Sequence, residues 1–232
     1  MTLLALLAFG FLLGLRHATD ADHVVAVTTL VSRERSSRAA LVLGAAWGLG
    51  HTLTLVVVGG AIVLFGIVIP PRLGLSLEMT VAVMLILLGV ANLKRSVAPA
   101  VPRPLMASAA SATWLARVAG LLRRGSRSLA VGVVHGLAGS AAVALLVLAT
   151  VGRQHSAFVY LAVFGVGTVA GMLLLTATLA VPLKLAAARF ASAERWMART
   201  TGALSLAFGL FLAYRIGFVD GLLLEAAAWT PQ

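Results

Sequence analysis

Long uncharged runs limit this chain more than any other feature. Residues 40–68, ALVLGAAWGLGHTLTLVVVGGAIVLFGIV, contain no Asp, Glu, Lys or Arg, and several other stretches are nearly as apolar. A helix needs roughly 20 mostly apolar residues to cross a bilayer, and the backbone there must satisfy its own hydrogen bonds. The chain is 61% hydrophobic and 11% charged; soluble domains carry roughly a quarter charged residues. The expected class is therefore an all-α integral membrane protein. No stretch shows the two-residue alternation of a membrane barrel. The absence of cysteine removes disulfides, thiol redox chemistry and thiolate metal sites.

Apolar runs predict six transmembrane helices, at about 3–30, 40–68, 78–93, 129–151, 157–181 and 201–219. The opening MTLLALLAFGFLLGL lacks a basic flank and runs on into further apolar sequence, so it reads as a retained span rather than a cleaved signal. The first two runs are long enough to be tilted, kinked or partly outside the bilayer. Pro70, Pro71 and Pro182 punctuate span ends. Fourteen of the 18 Lys and Arg residues fall in the loops after the first, third and fifth spans. The positive-inside bias puts those loops in the cytoplasm and both termini outside, in a multi-pass protein of the cell (inner) membrane. The net charge of +11 is thus topological rather than a sign of nucleic acid. Residues 94–128 form a basic cytoplasmic loop, within which SATWLARVAGLLRRG could lie on anionic lipid or act as a solvated linker.

The two sides of that loop resemble each other. GLRHATDADHVVAV from Gly14 aligns with GVVHGLAGSAAVAL from Gly132, GLGHTL from Gly48 with GVGTVA from Gly165, and LILLGVANLKR from Leu85 with SLAFGLFLAYR from Ser205. The offsets are 118, 117 and 120 residues. Residues 1–93 and 129–232 are therefore expected to be two three-helix repeats. An odd number of spans per repeat inverts the second in the membrane, as in many transporters. Ordinary apolar similarity is the competing explanation.

Against this background the polar groups stand out. His17, Asp20, Asp22 and His23 sit inside the first span with Arg16, and His51 sits in the second behind Gly48 and Gly50. A carboxylate at the bilayer centre costs about 2.5–3.5 kcal/mol on insertion scales, so two of them need a reason. Pairing with Arg16 is one; a cation is another. On a straight helix His17, Asp20 and His23 share a face, but Asp22 lies about 140° from His17. Either the helix is distorted there or another helix completes the site. Imidazole and carboxylate without thiolate suit a divalent transition metal better than Ca²⁺ or Mg²⁺. In the second half, His135 could be a ligand or proton relay, and with Ser140 a remote candidate for a hydrolase; Asn92 is a cap or a pathway residue. Glycines in FGVGTVAGMLLL read as packing, and Met172 as core.

RHATDADH, from Arg16 to His23, resembles the signature of the nickel/cobalt transporter family, a His, four residues, Asp and His, with His17, Asp22 and His23 in its defining positions and Asp20 in its usual DADH ending. LGHTLTLV from Leu49 is similar to the family's second motif, on the next helix. Full-length members have eight spans, and later motifs that bring acids into the second half; here that region reads HGLAGSAA, as in shorter urease-accessory or nickel-uptake relatives. The resemblance implies a permease rather than an enzyme, carrying Ni²⁺ or Co²⁺ as substrate without a resident cofactor. It implies His17, Asp22 and His23 as metal ligands, His51 completing the site and Asp20 orienting a histidine or sharing the charge. The 94–127 loop lacks the histidines of related exporters, which favours uptake. The partners implied are the metal ion, the bilayer, and a second copy of the chain or a metallochaperone, not nucleic acid. An intramembrane metal-dependent hydrolase and a non-transporting accessory protein are the alternatives.

Overall fold

A computed structural model describes residues 3–32, 34, 36–67, 69–97, 123, 125–139, 154–189, 193–224, 227 and 229, and among these the regular structure is entirely helical. The helices are α1 (Leu3–His17), α2 (Ala21–Val31), α3 (Ser37–Thr54), α4 (Gly60–Phe65), α5 (Pro71–Val97), α6 (residues 125–139), α7 (Gln154–Arg189) and α8 (Ala193–Tyr214). Four stretches are long and apolar enough to cross a membrane: Ser37–Phe65, Pro71–Lys94, Ser156–Pro182 and Arg195–Val219. The pair α1 and α2, bent by 56°, forms a fifth if taken as one broken span. The expected 129–151 run is helical as far as residue 139, and its remainder, Ser140 included, lies outside the described residues. Large apolar side chains such as Leu53, Leu87, Leu174 and Leu210 are more than half exposed, a surface that suits hydrocarbon and would be costly in water.

Local chemistry explains where the helices break and bend. The run expected at 3–30 is two helices, because residues 18–20 leave the helical path and Asp20 takes an extended conformation at the start of α2 (φ −62°, ψ 149°). α3 passes through a π-helical turn, Leu55–Gly59, into α4, which ends at Gly66 in the left-handed conformation (φ 61°) that glycine adopts without strain. Pro71 occupies the first position of α5, where its missing N–H costs nothing. Pro182 ends the apolar span, yet the helix itself continues through it to Arg189.

Contacts between helices set their directions. α1 and α7 run parallel: Gly10 packs on Tyr160, Gly14 on Phe164, and Ala18 on Gly171. α3 runs antiparallel to α7, with Gly44 on Thr176, Gly48 on Val169 and Thr52 on Gly165. α6 runs parallel to α3: the Ser128 hydroxyl donates to the Leu43 carbonyl at 2.6 Å, and Gly132 and Gly136 follow against Trp47 and His51. α5 and α8 are antiparallel, with Gly89 on Gly202 and Leu206, and Gly209 on Ala82 and Ile86. At Gly89 and Gly209 the neighbour is backbone, so the two helices approach as closely as main chains allow. The buried core runs down the middle of this assembly through Ala18, Val27, Trp47, Leu85 and Met172.

Candidate metal centre

The break between α1 and α2 positions most of the polar groups. α1 ends in a tight turn closed by Thr19 N–H donating to the Arg16 carbonyl at 2.8 Å and Asp20 N–H to that of His17 at 3.1 Å. His17 thus caps the C-terminal end of one helix while Asp22 and His23 open the next. The 56° bend removes the angular obstacle that a straight helix poses, since the groups no longer share one axis. α3 brings His51 from the side and α6 brings His135, both buried.

Two overlapping groups of potential ligands result. One ring nitrogen from each of His17, His23 and His51 lies within 4.8 Å of the other two. An Asp22 oxygen and one ring nitrogen each from His23 and His135 satisfy the same limit. His17 Nε2 faces His51 Nε2 at 3.1 Å. Two nitrogens bound to one metal at about 2.0–2.1 Å are separated by about 2.8–3.4 Å for cis-octahedral to tetrahedral angles. The observed gap is that of a hydrogen bond between the two rings and is also compatible with two imidazoles on one ion. His23 Nε2 is buried and has no hydrogen-bond partner, as is His51 Nδ1. A buried unsatisfied polar atom costs about 1–3 kcal/mol, and an ion bound at His23 Nε2 would remove that cost there.

The carboxylates hold the rings. Asp20 Oδ2 lies 2.8 Å from His17 Nδ1, leaving Nε2 as the free ligand atom. Asp22 Oδ1 accepts from the His23 backbone N–H at 2.8 Å and lies 3.1 Å from its Nδ1, while Oδ2 lies 3.1 Å from His135 Nε2. A carboxylate on the far nitrogen of an imidazole fixes its tautomer and raises its basicity toward a metal. All five residues expected from the sequence thus meet in one place: three imidazoles converge, and each acid touches an imidazole. The ion pairs of Asp20 and Asp22 are with histidines; Arg16 is exposed and takes no part in them, so of the two reasons offered for these acids, pairing with Arg16 is not seen. Trp47 lies nearly parallel to His23, with ring centroids 6.1 Å apart, and Phe164 lies 5.5 Å from His17, so an aromatic side chain flanks each of these imidazoles.

A cavity of about 440 Å³ reaches this centre from one end of the bundle. His17, Asp20, Asp22 and His135 line its floor, and Glu78 and Asp220 its walls; His23 and His51 lie behind, 1% and 0% exposed. Four of the chain's seven acidic residues therefore face one cavity. Arg215 shares the wall, its Nε 3.8 Å from Asp220. Glu78 and Asp220 were not among the expected site residues, although the rule that flagged Asp20 and Asp22, a carboxylate inside or beside an apolar run, applies to both. At the opposite end of α5 and α8, Asn92 donates to Thr201 Oγ1 at 3.0 Å and to Ser32 Oγ at 3.4 Å, so it serves as a buried cross-link among three helices.

The chain is 33% identical to the urease accessory protein UreH of Bacillus sp. (strain TB-90) over 223 residues, which cover 95% of this chain and 95% of that protein. No family model and no solved structure matches the chain.

Proposed function

We infer, from the premise that this chain belongs to the family of the urease accessory protein UreH, that it is a membrane permease for a divalent transition metal, nickel first and cobalt second, working in uptake. One observation carries the reading: three imidazoles from separate helical segments converge with an Nε2–Nε2 spacing of 3.1 Å beside an acidic cavity. His17, His23 and His51 would bind the ion, Asp20 and Asp22 would orient their rings, and Asp22 would lend charge. The nitrogen-rich, thiol-free set suits nickel or cobalt. The urease-accessory description of the relative points to nickel handling as well. A hydrolase would need a base apart from the ligands, and each acid nearest the imidazoles is engaged by one of them.

The helix contacts support six spans arranged as two inverted repeats. Gly14 meets Phe164 and Gly132 meets Trp47; Gly48 meets Val169 and Gly165 meets Thr52; Gly89 meets Leu206 and Gly209 meets Ile86. In each pair both partners are related by the 117–120-residue offsets of the sequence repeat. Such reciprocity is what a two-fold axis in the membrane plane would produce. With the basic loops inside, the cavity opens outward, on the side from which an imported ion arrives. A dication moving inward gains about 4.6 kcal/mol per 100 mV of inside-negative potential, so the membrane potential alone favours accumulation.

The test is flux into liposomes holding the purified chain and a nickel-sensing dye, under an imposed potential. Nickel entry that His23→Ala abolishes is the expected result. Flux equal to that of protein-free liposomes would overturn the assignment, and thermal stability unchanged by nickel would favour the non-transporting accessory protein.

A further inference from the structure

His135 is a residue the metal-binding reading does not use. It is 3% exposed and lines the cavity. Its Nε2 lies 3.1 Å from Asp22 Oδ2, its ring centroid lies 4.0 Å from that of His23, and its Nδ1 is buried without a hydrogen-bond partner. Asp22, His135 and His17 face the cavity, whereas His23 and His51 do not. An ion arriving from the cavity therefore meets Asp22, His135 and His17 before it can reach His23 and His51, the two deeper rings.

Resting on the permease reading above, we propose that Asp22, His23 and His135 form a second, outer subsite for the same divalent cation, from which the ion passes to His17, His23 and His51 across the shared imidazole of His23. The outer set offers one carboxylate and two imidazoles, so a hydrated transition-metal dication can exchange water for them stepwise. His23 belongs to both groups, and two dications a few ångströms apart repel strongly in a low-dielectric interior. The subsites are consequently occupied in turn. Asp22 is mechanically apt for the transfer: one oxygen holds the His23 side and the other faces His135. At Gly139 a Cβ would meet His17 Nε2 at 3.7 Å and His51 Cε1 at 3.6 Å, so the glycine leaves room for about one methyl group beside these two rings.

Cobalt(II) titration of the purified full-length chain in detergent, read by visible d–d absorption, tests this together with cobalt flux in liposomes. Wild type should bind one Co²⁺. His51→Ala should retain one Co²⁺ at about 100-fold lower affinity with an altered spectrum, and adding His135→Ala should remove at least a further 10-fold. His135→Ala alone should slow flux at least about 10-fold while changing equilibrium affinity less than about threefold; His135→Gln, which keeps a polar side chain, should behave alike and rule out simple misfolding. Equal cobalt affinity in His51→Ala and the double variant, or wild-type flux in His135→Ala and His135→Gln, would overturn the outer subsite and leave the permease reading intact. A wild-type chain that binds no cobalt or nickel would instead overturn both.

Discussion

His17 and His51 come from helices that the sequence separates by 34 positions, yet their Nε2 atoms face each other at 3.1 Å. Without an ion, one of the two Nε2 atoms must carry its ring's hydrogen for this contact to be favourable. A metal held between them would need both Nε2 lone pairs, with that hydrogen moved to the ring's Nδ1. His51→Ala removes one arm of the pair, and its loss should weaken nickel affinity by more than about 100-fold, a greater cost than that of removing a supporting carboxylate. Competition against a chelator in detergent measures this. Retention of wild-type affinity by His51→Ala would show that the two rings do not share an ion.

On the permease reading, Asp20 would act through His17 rather than on the ion. Its Oδ2 sits 2.8 Å from Nδ1, and its side chain is 52% exposed. Replacing it with Asn keeps the shape and removes the charge. Nickel affinity should fall about 10-fold, within the range usual for a partner that orients a metal-bound histidine. The same titration with Asp20→Asn checks this, and a loss as large as that of His51→Ala would make Asp20 a ligand instead.

Gly89 and Gly209 hold α5 and α8 together by the same contact made twice. A Cβ at Gly89 would lie 2.6 Å from the Leu206 nitrogen, and one at Gly209 would lie 2.8 Å from the Ile86 nitrogen. Neither neighbour is a flexible side chain, so Gly89→Val and Gly209→Val should each destabilise the fold by about 1–3 kcal/mol or more. Gly125→Ala is the control, because its nearest neighbour is 3.9 Å away. Thermal unfolding in detergent should show two similar losses and an unchanged control. A large loss in only one of the two valine variants would break the equivalence of the helix pair.

The polar cluster is legible in the sequence because burial and charge conflict there: Asp20, Asp22 and three histidines need one another, Arg16 or a cation. The break that brings them together was harder to see. ATD at 18–20 holds neither Gly nor Pro, and the turn arises from hydrogen bonds to Arg16 and His17. His135 was legible only through its alignment with His17; its pairing with Asp22 needed the crossing of α6 over α3, which no local pattern encodes. Arg16 is near the acids in sequence, which is why pairing with it is one reading of the motif, but its side chain is exposed and the acids pair with histidines instead. Glu78 and Asp220 were passed over because each stands alone in its segment, and only the antiparallel register of α5 and α8 sets both on the cavity wall.

That wall gives a last prediction. Glu78 Oε1 accepts from the Trp229 indole N–H at 2.8 Å, and the Trp229 ring covers Gly74 one turn earlier. The carboxylate is thus fixed in position beside a cavity that also holds Asp20, Asp22 and Asp220. A cleft with an excess of one sign of charge, here four acids against Arg215, concentrates ions of the opposite sign, and the effect fades as salt shortens the screening length from about 30 Å at 0.01 M to about 8 Å at 0.15 M. Glu78→Gln keeps an oxygen for Trp229 and removes the charge. It should raise the KM for nickel about threefold to tenfold at low ionic strength, leave the maximal rate unchanged, and lose most of its effect at 0.15 M salt. Flux at a series of nickel concentrations, at both ionic strengths, reads this directly. A fall in maximal rate with no change in KM would place Glu78 in the transport step itself, and no effect at low salt would mean that the acidic cavity does not gather the ion.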